Sequence, residues 1–200
     1  MLGLASALST ASSTSEQLYS LSFDGTGDYL SIGDVLDLGT ADFSLSTWIK
    51  IADWDGKTTR FFTKYEDGNN NWILVVQGTG NIEFTAKGQG DSGNATLVNH
   101  SKVPSKTNDE WVHVCITADR TGNIVWYENG SSIGTTDISS KQDINLNNTG
   151  ELRIGSTAQD DAFDLLGNID ECAIWSSTLS AGAVAAIYNS GKPFDLNYNR

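Results

Sequence analysis

From Leu18 onward, apolar side chains recur at every second position of this chain. Leu21 and Phe23 alternate with Ser20, Ser22 and Asp24, the spacing of a half-buried strand. Asp24-Gly25-Thr26-Gly27-Asp28 supplies a turn, and Tyr29 to Ile32 returns from it. The clearest strand follows, with Phe43, Leu45, Thr47, Ile49 and Ile51 on one face and Ser44, Ser46, Trp48 and Lys50 on the other. The pattern predicts further strands over 60–64, 72–77, 82–86, 111–118, 124–128, 151–154 and 167–175. Glycine and asparagine punctuate the gaps, and Thr121-Gly122-Asn123 and Asn129-Gly130 are strong hairpin signals. Ser180 offers a helix N-cap before the alanine-rich 181–188, which Ser190-Gly191 and Pro193 end. The polar stretch from Gly88 to Asn108 reads as a long loop, a length reserved for functional or mobile segments. Many short strands at near-regular spacing indicate an antiparallel sandwich or barrel with one short C-terminal helix.

Composition narrows what such a domain can do. Two hundred residues suit one large all-β domain, long enough to bury its core without disulfides or metal. Twelve basic residues against 25 acidic ones give a net charge of −13, which argues against nucleic acid and anionic membrane as partners. The acidity serves solubility, or gathers some carboxylates around calcium. Cys115 and Cys172 both lie in strand-like apolar segments and read either as buried small hydrophobes or as a bridged pair. No apolar run reaches the roughly 18 residues of a membrane span. Residues 1–17 form a small-residue arm with Leu2, Leu4 and Leu8, and its lack of Lys and Arg makes it a poor secretory signal. The expected organisation is therefore an arm over 1–17, a sandwich over 18–192 and a tail over 193–200.

The motifs add a resemblance. Taken in order, Leu21-Ser22-Phe23-Asp24-Gly25, Phe43 to Lys50, Glu110-Trp111-Val112-His113-Val114, Trp126-Tyr127-Glu128, Leu152 to Gly155 and Gly167-Asn168-Ile169-Asp170-Glu171 resemble the concanavalin A-like, laminin G-like jelly-roll family over residues 18–190. The resemblance implies a two-sheet jelly-roll sandwich that binds sugars or proteins far more often than it catalyses. In many such sandwiches an aspartate on the last strand and oxygens of the first turn hold a structural calcium. Asp170 and Asp24 stand at those positions, with the alternative that Asp24 caps its own turn and Asp170 bonds to backbone. Asp160, Asp161 and Asp164 form a further acidic cluster, which reads as a solvated turn.

Related glycoside hydrolases carry their carboxylates at alternate positions of one strand. Here the alternate positions around Asp170 are Asn168, Cys172 and Ile174, so the pair that glycosidic cleavage requires is missing. His113 reads as a structural histidine. Trp54, flanked by Asp53 and Asp55, and Trp72, after an Asp/Asn-rich loop, are candidate aromatic platforms for a sugar ring, the alternative being ordinary packing. The expected function is non-catalytic binding of a glycan or surface protein. The expected setting is a virus particle, as a phage decoration or tail protein that contacts neighbouring subunits through residues 1–17, or else a secreted lectin-like adhesive domain. Oligomerisation is compatible with either.

Overall fold

A computed structural model describes residues 20–54, 56–90, 93–102, 107–157 and 163–191. The expected arm over 1–17 and the tail lie outside the described residues, as do Asp55, Asp160 and Asp161. The described residues build two six-stranded antiparallel sheets. The first runs β1 (Leu21–Asp24), β12 (Leu166–Trp175), β3 (Phe43–Ile51), β8 (Trp111–Ala118), β9 (Asn123–Glu128) and β10 (Ser131–Asp137). The second runs β2 (Leu30–Gly33), β11 (Leu152–Ile154), β4 (Thr59–Tyr65), β5 (Asn71–Val76), β6 (Ile82–Gly90) and β7 (Gly93–Lys102). Consecutive strands swap sheets at both ends of the chain, which is what a jelly roll requires. No helix among the described residues is long and apolar enough to cross a membrane.

One core fills the space between the sheets. Phe43, Leu45, Ile49 and Ile51 of β3 meet Trp72, Leu74 and Val76 of β5 and Phe84 of β6, and all are essentially buried. Period two on both sheets supplies the two inner faces, and the alternate residues point outward. Helix α1 (Ala181–Tyr188), capped by the Ser180 hydroxyl accepting from the Ala183 N–H at 3.2 Å, closes the outer face of the first sheet. There Val184 packs with Cys115 and Tyr127, and the Tyr188 ring stacks on Trp48.

Two expectations change. The supposed loop over 88–108 contains the end of β6 and all of β7, a polar edge strand whose sequence lacks the apolar alternation that marks a half-buried one. The hairpin signal Asn129-Gly130 is followed by a return strand, β10, that is similarly polar. Nor are the two cysteines bridged. Cys115 pairs with Ser46 on the outer face beneath α1, whereas Cys172 packs toward the inner core, so the sheet itself separates them.

Candidate functional site

The residues singled out in the sequence do not converge on one place. Trp54 is 1% exposed; its indole Nε1 donates to the Thr107 carbonyl and its own N–H to Asn108 Oδ1, both at 3.2 Å. Trp72 is fully buried, inward on β5 beside Leu74 and Val76. Neither ring can serve as a solvent-facing platform, which corrects the expectation for both. Asp53 is exposed beside Trp54, on the turn that follows β3.

Asp24 and Asp170 do not share a site either. Asp24 faces Leu166 across the β1–β12 ladder. Asp170 lies four residues further along β12, roughly 13 Å away at about 3.3 Å per residue. Each carboxylate has a local role: Asp24 accepts from the Thr26 N–H at 2.8 Å and Asp170 from the Glu171 N–H at 2.8 Å. The first turn is instead tied to Asp164, which is buried and accepts from the Gly27 N–H at 2.6 Å. Among the described residues no group of three or more His, Cys, Asp and Glu is placed to hold a metal ion. A single calcium joining Asp24 to Asp170 does not fit this arrangement.

The alternation along β12 also breaks. The ladder shifts between Asp170 and Ala173, with Glu171 in the left-handed region at φ 46°. This bulge turns Cys172 and Ile174 toward the core while Asn168 and Asp170 stay on the outer face. Asn168, Asp170, Cys172 and Ile174 therefore do not share the one face that strict alternation gave them.

A groove does form on the outer face of the second sheet. Three cross-strand rows build it: Arg60–Val75–Glu83, Thr63–Ile73–Thr85 and Tyr65–Asn71–Lys87. Ile73 and Val75 make its floor. They face away from the core, yet only 9% and 4% of their surface is exposed, because the walls rise around them. Gly68 closes one end, Thr58 and Gln77 the other, and Phe163 leans in from the loop before β12, enclosing about 290 Å³.

The polar walls are pre-organised. Glu83 Oε1 accepts from Gln77 Nε2 at 3.0 Å and from the Thr85 hydroxyl at 2.9 Å. Gln77 Oε1 in turn accepts from the Thr58 hydroxyl at 3.4 Å. The Arg60 guanidinium lies 4.3 Å from the Phe163 ring centre, and Lys87 Nζ reaches the Gly68 carbonyl at 3.3 Å. Asp67 shapes the end loop: the Asn69 N–H and the Asn70 side chain hold its carboxyl below the usual range, and Asn71 Nδ2 donates to its carbonyl at 2.8 Å. An apolar floor between fixed amides, hydroxyls and charges suits a ligand with apolar faces and many hydroxyls. Sequence reasoning predicted β4, β5 and β6 but assigned nothing to their outward residues. The signal was the polar triplet Glu83, Thr85 and Lys87 opposite the apolar pair Ile73 and Val75.

Comparison with known proteins agrees with this architecture. The model of the concanavalin A-like lectin/glucanases superfamily matches residues 24–185. Among curated proteins none matches the chain. The fold is similar to domain 4 of AbnA, a GH43 extracellular arabinanase from Geobacillus stearothermophilus solved with arabinotriose. That match has a TM-score of 0.62 at 23% identity and covers 84% of this chain and 76% of that one. The heptameric SAP-like pentraxin of Limulus polyphemus matches with a TM-score of 0.61 at 19% identity, over 84% and 80% of the two chains. The receptor binding domain of botulinum neurotoxin D matches with 0.63 at 19% identity, over 88% of this chain and 47% of that one, so this chain spans under half its length.

Proposed function

The chain belongs to the concanavalin A-like lectin/glucanase superfamily, and on that footing we propose that it is a non-catalytic glycan-binding module whose site is the groove over β4, β5 and β6. The observation that carries the reading is the groove's composition, an Ile73–Val75 floor between hydrogen-bonded polar walls. Similarity to a domain solved with arabinotriose and to a toxin receptor-binding domain supports binding as the task of this fold. Glycosidic cleavage needs two carboxyl groups on either side of the scissile bond. Glu83 is the one carboxylate among the described lining residues, and Gln77 and Thr85 hold it in place. Its setting in this reading is an exterior surface, of a virus particle or of a cell; loss of incorporation on deleting residues 1–15 would support the former.

A glycan array followed by calorimetry on the best binder tests the site. Thr85→Ala and Lys87→Ala should each weaken binding by about 1–2 kcal/mol, and Ile73→Arg should abolish it. Ser132→Ala, on the far edge, should leave it unchanged. Binding indifferent to all three groove variants, or an array without any binder, would remove the groove from consideration.

A further inference from the structure

Among the described residues one aromatic ring is left exposed, and it lies outside the groove. Tyr29, just before β2, is 48% exposed, whereas every other described tryptophan, tyrosine and phenylalanine is buried or half-buried. Leu30 pairs with the core residue Ile154 and so points inward; its neighbours Tyr29 and Ser31 point outward. That is the face of the second sheet that carries the groove. Ser31, Arg153, Thr63, Ile73 and Thr85 form one row along it, across β2, β11, β4, β5 and β6.

The exposed ring is held in place. The Arg153 guanidinium lies 4.2 Å from its centre and covers one face. Glu151 Oε2 accepts from Arg153 Nε at 3.1 Å and from the Ser31 hydroxyl at 3.2 Å, and pairs with Arg153 Nη2 at 3.0 Å. With one face against the guanidinium and nearly half of its surface in water, Tyr29 turns its other face outward. Fixing a solvent-facing ring with an ion pair buries little apolar area, so core burial does not account for the arrangement. A fixed ring beside hydroxyl, carboxylate and guanidinium groups suits a sugar, whose C–H face packs on the ring while its hydroxyls meet the polar neighbours. The groove uses the same pairing at its own wall, where Arg60 backs Phe163 at 4.3 Å.

Tyr29 and the groove floor are too far apart for one sugar ring. β2 and β5 are three strand spacings apart, about 14 Å. Thr63, between them on β4, is 1% exposed, so the intervening surface is a filled ridge. We propose that Tyr29 is a second saccharide subsite on this face, reached across the ridge by a linear oligosaccharide whose other units occupy the groove. The ligand class is then an extended glycan chain, whereas a single terminal sugar fills the groove alone. This subsite rests on the groove reading for its first contact and adds a length threshold to it. Short saccharides gain from the groove only; once a chain reaches Tyr29, the second contact is intramolecular and affinity steps up.

Calorimetry of the full chain with xylo-, cello-, arabino- and chito-oligosaccharides, each from the monosaccharide to the hexasaccharide, tests the subsite. In a series that binds, the wild-type Kd should change little among the shortest members and fall about tenfold when the chain reaches the ring. Tyr29→Ala should remove that step and leave the short members at wild-type affinity, which also shows the groove intact. Tyr29→Phe should keep the step, because the ring face makes the contact. Ile73→Arg, by contrast, should abolish binding at every length. A Kd without a step in chain length, a step that survives Tyr29→Ala, or an equal loss at every length in that variant overturns the subsite while leaving the groove in place. Absence of binding in every series overturns the subsite too, and the groove reading then stands or falls on the glycan array. The wild-type length profile needs no variant to fold and decides the matter by itself if Tyr29→Ala is unstable.

Discussion

Arg120 is 1% exposed, and its guanidinium ends on carbonyls: Gly39 at 3.2 Å, Lys141 at 3.1 Å and Ile144 at 2.6 Å. Burial pulls its pKa below the usual arginine value, while Asp42 and Asp143 pull the other way. The planar fork satisfies several loop carbonyls that no strand could reach, fixing the 139–146 segment against the turn before β3. A lysine has one nitrogen and would leave most of them unpaired. Arg120→Lys should therefore destabilise the fold by about 3 kcal/mol. That corresponds to a fall in Tm of roughly 6–12 °C in a chain of this size, and a shift under about 2 °C would refute the role. Trp54 and Trp72 teach a related lesson about single residues. Each flanks a polar loop in sequence, which suggested exposure. Trp72 nevertheless begins the inward row Trp72, Leu74, Val76, and period two already placed it inside. For Trp54 no local pattern exists, because its partners Thr107 and Asn108 are distant in sequence.

At the level of elements, strands with apolar alternation were legible from sequence and polar edge strands were not. β3, β5 and β8 owe their conformation to burial, which writes period two into the chain, whereas β7 and β10 owe theirs to backbone pairing with a neighbour. Bulges escape for the same reason: Glu171 looks like one more strand residue, yet its left-handed backbone reverses the faces of everything after it. The groove was half legible, since its strands were predicted while its depth depends on how β4, β5 and β6 register. One junction brings the edge strand of the first sheet close against the second. Gly155 follows β11 at φ 90°, bonds through its carbonyl to the Leu165 N–H at 2.8 Å, and lies directly against the Phe23 ring. A side chain there meets both a left-handed backbone and the ring of a core residue. Gly155→Ala should cost about 3 kcal/mol, combining backbone strain with overpacking. Urea unfolding would register it, and a midpoint equal to wild type would mean that the junction yields freely.

For the whole molecule the decisive opposition is between its many carboxylates and one histidine. With 25 acidic residues and −13 overall, lowering pH from neutrality relieves self-repulsion and by itself favours the compact state. His113 works against this. It is fully buried under α1, with Nε2 2.8 Å from the Ser46 hydroxyl and the rings of Trp48 and Tyr188 packed about it. Burial pushes its pKa down from 6.5 to about 4. The unfolded chain therefore binds a proton near pH 6.5 that the folded chain refuses until about pH 4. Stability from the neutral imidazole is complete above pH 6.5 and is lost as pH falls toward 4. The loss amounts to about 2 kcal/mol at pH 5 and on the order of 3 kcal/mol at pH 4, comparable with a large share of the total for a domain. His113→Gln removes the titration while keeping a polar group for Ser46. Its unfolding free energy should start below wild type at neutral pH and converge on it in acid, as wild type alone gives up the histidine contribution. Curves that stay parallel from pH 7 to about 4 would show that the acid response belongs to the carboxylates, and that the imidazole beneath α1 is open to protons in the folded state.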